Sequence, residues 1–445
     1  MRRIVAIWLG KLLHIAGRAA GKKSSSGPGE FALKLYPKLI DDMNIRVKQK
    51  IIVTCGTNGK TTTNNVICSA LEAKGYKVLC NRVGANMLGG VATAYIESAD
   101  AFGRIDADFA CLEIDEAYAK IIFKHIKPDV MIVTNLFRDQ LDRYGELDGT
   151  VKLIKDAISL ADGVTLVLNA DDPVCVQFSQ SKNTKTLFYG VSEKVFDTDD
   201  GAKEGRHCPI CASELDYNYY HYSQLGDFKC PDCGYSRPEP DYTITDISLK
   251  SPMKFSINSH KLEVDYKGFY NILNLAAVYT ALNAVGINTG NFGELLKNYK
   301  PQAGRMQEFD IGKKVILSLS KNPAGFNQAI ETLNSDEKTK DVIIAINDGV
   351  GDGKDVSWLW DVNFDKLKND SLKTLSITGI RRYDTALRFK YADIDDIRVC
   401  ENMKDAILNT LDTESETVYV IVNYTALFST ENILKELERG YKNEA

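Results

Sequence analysis

The stretch Ile51–Thr63, IIVTCGTNGKTTT, constrains the fold of this chain more than any other. A short apolar run enters a turn bounded by Gly56 and Gly59 and leaves it through a lysine and three threonines. The run Ile51–Val53 reads as a buried strand, and Asn64–Lys74 as a helix that ends at Gly75. A turn with few side chains at the head of a helix lets backbone N–H groups face an anion. Here Gly56, Thr57, Asn58 and Gly59 form a cradle for nucleotide phosphates, continued by Thr61 and Thr62. Lys60 supplies a point charge to the phosphates and Thr61 a hydroxyl to the magnesium ion that accompanies them. Two residues separate Gly56 from Gly59, fewer than the four of the GxxxxGK[ST] pattern. The plainer reading is a strand, turn and helix with no ligand.

With 445 residues the chain has room for two or three domains, each with its own core. A net charge of -5 argues against general nucleic-acid affinity, because tracking a phosphate backbone leaves a basic excess. Ten cysteines without a convincing cleavable signal fit the reducing cytoplasm rather than a disulfide framework.

Strand-like runs at Lys77–Cys80, Phe109–Glu113, Val130–Thr134 and Thr165–Asn169 alternate with helical stretches, the pattern of a parallel sheet with crossover helices. A second set, Val315–Leu319, Val342–Ile346, Thr374–Thr378 and Val418–Val422, predicts another doubly wound α/β domain after a hinge at Pro301–Arg305, PQAGR. The expected organisation is an N-terminal arm (1–45), a central nucleotide-binding domain (46–300) and a C-terminal Rossmann-like domain (301–445).

Residues 205–237 interrupt the α/β pattern with two CxxC pairs, Cys208/Cys211 and Cys230/Cys233, separated by 18 residues. That is zinc-ribbon spacing: each knuckle presents two thiolates, and two knuckles close a tetrahedral shell of four cysteines. With no ligand position left open the Zn2+ is expected to be structural, holding an insertion too small for its own core. His207 and His221 read as solvated neighbours rather than ligands. The remaining cysteines read as small core residues.

GTNGKTTT closely resembles the ATP-binding signature of the Mur ligase family, the ATP-dependent amide-bond synthetases of peptidoglycan precursor assembly, with folylpolyglutamate synthetases as relatives. A second run, TNLFRDQLDRYGELD (Thr134–Asp148), resembles that family's TNxxxDHLDxxG. The resemblance implies ATP and Mg2+ as cofactors, Glu113 as a magnesium ligand opposite Thr61, and Asn135 and Asp139 near the phosphates. The family's histidine after that aspartate is Gln140 here, a poorer ligand for a second magnesium. Lys155 lies near, but one residue out of register with, a lysine that is carbamylated in many members, and is not assigned that role. GFYNILNLAA resembles the helix that begins HNxxNxxAA, which implies that Asn271 and Asn274 contact adenine, with Tyr270 in the histidine's place. Arg305 matches an arginine that reaches the phosphates. SLSKNP stands where relatives have DYAHNP, so the ribose-binding aspartate is Ser318, and Lys321 is expected to take over part of the contact.

Only about fifty residues precede the turn, so the chain is expected to lack the extra N-terminal domain of amino-acid-adding members. Together with the ribbon and the loop Asn347–Asp361, NDGVGDGKDVSWLWD, this resembles the lipid II-amidating branch of the family. The implied reaction converts the α-carboxylate of D-glutamate in lipid II to an amide through an acyl phosphate, with Lys60, Thr61, Glu113 and Arg305 neutralising phosphate charge. The chain has five histidines, none after His260, and no cysteine in a convincing nucleophile turn, so ammonia is expected from a partner. The resemblance implies a GatD-type glutaminase in a heterodimer, with Asp355 completing its Cys–His site. Trp358 and Trp360 are expected to be exposed beside these acids, as on a partner surface. Two alternatives share some of these features: a folylpolyglutamate-type or other amino-acid ligase, and a non-enzymatic nucleotide-binding zinc protein. Finally, Met1–Lys23 carries six cations, no acid and an interleaved apolar series, which suits either an anionic membrane surface or packing on the protein body.

Overall fold

The computed structural model describes residues 2–20, 24–44, 47–82, 85–139, 147–196, 205–297, 299, 303–349 and 351–444. Two compact units form: Met1–Phe137, Leu147–Val264 and Asn271–Tyr299 make one, and Arg138–Glu146, Asp265–Tyr270 and Lys300–Ala445 the other.

In chain order the first unit has strands β1 (Val47–Cys55), β2 (Val78–Cys80), β3 (Ala107–Glu113), β4 (Val130–Val133), β5 (Thr165–Asn169) and β6 (Lys185–Val191). A hairpin of β7 (Asp216–Tyr222) and β8 (Leu225–Lys229) follows, then β9 (Tyr242–Ser248), β10 (Met253–Ile257) and β11 (His260–Val264). Nine of these strands form one sheet in the order β11-β10-β9-β6-β5-β4-β1-β3-β2, parallel from β2 through β9 and antiparallel at β10 and β11. The last five residues of β1 are buried, as a strand covered on both faces requires. On leaving β1 the chain builds β2 and β3 on one side, then crosses to β4 on the other. That reversal makes the carboxyl end of β1 a topological switch point, the place where open α/β sheets bind ligands.

The second unit contains β12 (Arg305–Asp310), β13 (Lys314–Leu319), β14 (Lys340–Ala345), β15 (Leu372–Thr378), β16 (Arg398–Val399) and β17 (Thr417–Val422), ordered β12-β13-β17-β14-β15-β16. All pairs are parallel except β12–β13. One core lies on each sheet face, around Phe326 and Phe364 and around Ile343 and Leu434.

The fold class is the expected doubly wound α/β. One local expectation changes: Arg305, read as part of a hinge, opens the edge strand β12 opposite Ser318 of β13. Pro301 and Gln302 of that hinge, and Gln140, lie outside the described residues.

Candidate functional site

Cys55 ends β1, and Gly56 (φ 118) and Gly59 (φ 87) turn the chain into the helix Lys60–Ala73. Both angles are left-handed conformations that glycine adopts without strain. The space is closed as well. A Cβ on Gly56 would stand 2.4 Å from Thr134 Oγ1, and one on Gly59 would stand 2.1 Å from Asn274 Oδ1. The turn is held by the run after β4: Asn135 accepts the Thr57 N–H through its carbonyl (2.8 Å) and the Asn58 N–H through Oδ1 (2.9 Å). Asn135 Nδ2 and Thr134 Oγ1 both donate to the Asn58 carbonyl, at 3.1 and 2.7 Å. Thr57 Oγ1 accepts the Phe137 N–H at 3.0 Å. The Thr134–Phe137 segment thus fixes the turn's shape, and Asn135 acts here through the backbone of the cradle.

Gly59 brings no side chain to cap the helix, and the first N–H groups of an α-helix have no intrahelical acceptor. Thr54 Oγ1 and Thr63 Oγ1 are buried with no hydrogen-bond partner among the described residues. Donors without intrahelical acceptors, a cradle that a Cβ would fill and a cation at its rim fit a nucleotide's phosphates. Thr61 is half-buried and Thr62 buried in the same helical turn.

Lys60 is buried. Its Nζ donates to the Gly56 carbonyl and to Glu116 Oε1 (2.8 Å). Burial works against its charge, but Glu116, Asp115 and Glu113 together outweigh burial and hold its pKa above the ordinary lysine value. Burial in turn pushes the Glu116 carboxyl up, against the pull of Lys60. Glu116 was missed in the sequence reading; the signal was the run Glu113–Glu116, EIDE, closing a strand beside a lysine-bearing turn.

Glu113 ends β3 in register with Thr54 of β1. Its backbone is held by Asn81, which accepts the Glu113 N–H (2.9 Å) and donates to the Glu113 carbonyl (2.8 Å). Asn86 Nδ2 donates to Glu113 Oε1 at 3.1 Å. An oriented, buried carboxylate in the same group of acids that acts on Lys60 fits a magnesium ligand shared with Thr61. Asn271 and Asn274 lie on one helix, Tyr270–Ala284, and are hydrogen-bonded to each other at 3.3 Å, with Asn274 against Gly59. Lys155 is exposed on the helix Leu147–Ile158.

In the second unit Lys321 Nζ pairs with Asp139 Oδ2 at 2.5 Å, while Asp139 Oδ1 is buried without a partner among the described residues. Arg305 and Ser318 are cross-strand neighbours, and the register slips at Met306, whose φ is 54. A bulge of this kind re-aims the adjoining side chain. Asn322 accepts the Gly325 N–H (2.9 Å) and so caps the helix Pro323–Asn334.

Acids of the loop Asn347–Asp361 have partners within the second unit. Asp352 is buried and accepts the Thr425 N–H (3.0 Å), and Asp348 pairs with Arg381 (2.9 Å). Asp355 is half-buried and accepts the Ser357 N–H (2.8 Å), which, with the Ser357 hydroxyl, holds its carboxyl below the usual range. Trp358 is half-buried with its ring 5.3 Å from that of Phe326, contrary to the expected exposure, whereas Trp360 is exposed.

The four cysteine Sγ atoms of the ribbon lie within 4.8 Å of one another, with Cys208–Cys233 at 3.5 Å and Cys211–Cys230 at 3.4 Å. A tetrahedral zinc with bonds of about 2.3 Å needs sulfurs about 3.8 Å apart, so the donor set fits. Each knuckle closes alike: Ala212 (φ 64) donates to the Cys208 carbonyl and Gly234 (φ 77) to the Cys230 carbonyl. The Ser213 hydroxyl and N–H hold the Cys211 thiol down to about 6, which favours the thiolate a metal binds. Cys208, Cys230, Leu215 and Phe228 form a core with Val176 of the body and with Phe188, so the insertion borrows its core. Tyr235 donates to the Pro173 carbonyl (2.6 Å), Gln224 to the Leu136 carbonyl (2.7 Å), and Arg237 pairs with Asp171 (2.8 Å). His221 is buried near Asp171 rather than solvated, because the hairpin packs its aromatic face onto the body. The cysteines outside the ribbon are buried, save half-buried Cys80.

Family models match in both halves of the chain: the Mur ligase middle domain over residues 53–282 and the MurT ligase C-terminal domain over residues 319–427. Over 445 residues the chain is 34% identical to the MurT subunit of lipid II isoglutaminyl synthase (glutamine-hydrolyzing) from Staphylococcus aureus (strain COL), covering 99% of each. It is 28% identical to the subunit of the same name from Streptococcus pneumoniae (strain ATCC BAA-255 / R6), covering 98% of this chain and 97% of that one. Among solved structures, a pseudomurein peptide ligase type C from Methanothermus fervidus matches with TM-score 0.70 and 22% identity, over 88% of this chain and 79% of that one. MurF from Acinetobacter baumannii matches with TM-score 0.67 and 15% identity, over 92% and 80%. These structures share the fold. By its middle-domain match and its full-length likeness, the chain belongs to the Mur ligase family, in the group of MurT subunits.

Proposed function

We propose that this chain is the ATP-dependent synthetase subunit that amidates the D-glutamate α-carboxylate of lipid II to D-isoglutamine, in peptidoglycan assembly on the cytoplasmic side of the membrane. The observation that carries the reading is the phosphate turn at the β1 switch point, found in a chain alike over its whole length to subunits bearing that name.

In the proposed reaction a carboxylate oxygen attacks the γ-phosphorus of ATP, the β–γ bridging bond breaks, and acyl phosphate and ADP form. Ammonia then attacks the acyl carbon, phosphate leaves with the carboxylate's former oxygen, and the nitrogen loses a proton to give the amide. Backbone N–H groups at Gly59–Thr62 hold the phosphates, and Lys60 offsets their charge. Mg2+, held by Thr61 and Glu113, would withdraw electron density from the transferred phosphoryl group. Asn271 and Asn274 supply amides to adenine; Arg305 and Lys321 supply cations and Asp139 a carboxylate to the nucleotide end. Zn2+ in the four-cysteine ribbon would cross-link two knuckles and takes no part in the chemistry.

The nitrogen comes from a separate glutaminase of the GatD type. Asp355 suits the role of orienting that enzyme's histidine: its carboxylate is held ionised by Ser357 and lies in the same loop as exposed Trp360.

Mass spectrometry of lipid II incubated with the chain, ATP and Mg2+ tests the proposal. Amidation is expected with ammonium, and with glutamine only once a glutaminase is added. Addition of an amino acid instead of ammonia would place the chain with the folylpolyglutamate-type ligases; no product under conditions of nucleotide binding would leave the fold without the reaction.

A further inference from the structure

The N-terminal helix Arg2–Ala19 packs on the core of the first unit by one narrow face and leaves most of its apolar side chains outside it. The residues it turns inward are Ala6, Ile7 and Gly10, all buried; a Cβ on Gly10 would stand 2.9 Å from Ile96 Cδ1. Polar contacts then fix its rotation about its own axis. Trp8 Nε1 donates to the Ala101 carbonyl (3.0 Å), Lys11 to the Ala99 carbonyl, and His14 Nε2 lies 2.8 Å from Glu97. Ile7 apart, most of the large apolar side chains of the helix remain exposed. Val5, Trp8, Leu9, Leu12, Leu13 and Ile15 are exposed, Leu12 at 57% and Ile15 at 64%. At 3.6 residues per turn they form one continuous stripe, roughly opposite the packed face. Phe31 and Leu35, exposed on the adjoining helix Gly27–Leu35, extend the apolar surface of this part of the first unit.

A stripe of this size on a helix that is already docked asks for a further occupant. Charge selects it. The helix carries Arg2, Arg3, Lys11 and Arg18 and no acid, in a chain whose net charge is -5. A second copy meeting this face about a two-fold axis would bring the same cations together from both sides, which opposes association. An anionic lipid surface complements both features at once: acyl chains accept the apolar stripe and headgroups the exposed Arg2 and Arg18. Among the described residues no helix is long and apolar enough to cross a membrane, so this one would lie in the interfacial plane.

We propose that the helix Arg2–Ala19 is a docking surface for anionic lipid, holding the enzyme flat against the membrane through Leu12, Leu13 and Ile15. The proposal goes beyond the amidation reading and is tested without turnover.

The full chain is sedimented with vesicles of phosphatidylglycerol and phosphatidylcholine, and with vesicles of phosphatidylcholine alone. Expected are retention on the anionic vesicles, weakening as salt is raised, and a blue shift of tryptophan emission that Trp8→Phe removes. A double variant, Leu12→Glu with Ile15→Glu, should lose binding by roughly tenfold or more. Both side chains are exposed, so its circular dichroism and nucleotide binding should match the parent chain. Absence of retention on anionic vesicles overturns the proposal, as does equal retention of the double variant. A concentration-dependent dimer in sedimentation velocity that the double variant dissolves would assign the face to a second copy instead.

Discussion

Lys60 Nζ and Glu116 Oε1 stand 2.8 Å apart with less than a tenth of either side chain exposed, so the cation at the glycine-bounded turn is held by a carboxylate. A buried pair of this kind is costly to break from one side, because the remaining charge is left without a partner. Lys60→Met should therefore lower stability by about 3 kcal/mol and leave amidation at about a hundredth of the parent rate or less. Glu116→Gln keeps an acceptor for Lys60 and should cost less stability. Thermal unfolding and product assays on both variants check this.

Gly59 and Gly75 share a φ of 87, but only Gly59 is crowded. Gly75→Ala should cost about 1 kcal/mol and leave nucleotide affinity alone. Gly59→Ala also displaces Asn274 and should weaken nucleotide binding by about tenfold or more. Calorimetric titration with ATP separates the two.

Asp355→Asn should reduce glutamine-dependent amidation by about a hundredfold or more, as loss of a histidine-orienting acid does elsewhere. Ammonium-dependent amidation should stay within about twofold, because the substitution leaves the phosphate turn untouched. Paired assays with the two nitrogen sources check the split.

Elemental analysis should find one zinc per chain. Cys230→Ser, at the buried corner of the cluster, should abolish it and lower the melting temperature by about 5 °C. Cadmium should restore the melting temperature of chelated protein, since the site asks for four thiolate bonds and no reactivity.

Burial lowers the pKa of His221, with Asp171 pulling the other way. The unfolded chain therefore binds the proton more readily, and the stability tied to the neutral ring is present above the unfolded pKa, about 6.5. It is lost as pH falls from there through the folded pKa, by at most about 1.4 kcal/mol per pH unit. Urea unfolding at several pH values should show a shallower acid slope for His221→Leu than for the parent chain.

Local signals were the legible ones. The glycines of the turn and the two CxxC pairs each specify a geometry within a few residues, and the left-handed Gly56 and Gly59 and the clustered sulfurs have that local geometry. Asn135 was legible as part of the site, yet its hold on the Thr57 and Asn58 N–H groups depends on β1 and β4 being neighbours, which no local pattern states. Glu116 escaped notice because an acid after a strand ordinarily faces water; its burial follows from the lysine folding back over Gly56. Arg305 opposite Ser318 depends on a bulge at Met306, a residue that gives no sequence sign of a left-handed conformation. Trp358 and His221 were misjudged for one reason: the partners they pack against, Phe326 and Asp171, come from distant segments.

The core shared by Cys208 and Cys230 with Val176 and Phe188 bears on how the ribbon can be handled and inherited. A ribbon with its own hydrophobic centre can be cut out and grafted elsewhere; this one is expected to resist that, because Val176 and Phe188, which pack against its cysteines, belong to the β5–β6 region. Any change that moves Pro173 or Val176 is felt at the thiolates, so the ribbon and the sheet it rests on are expected to diverge together.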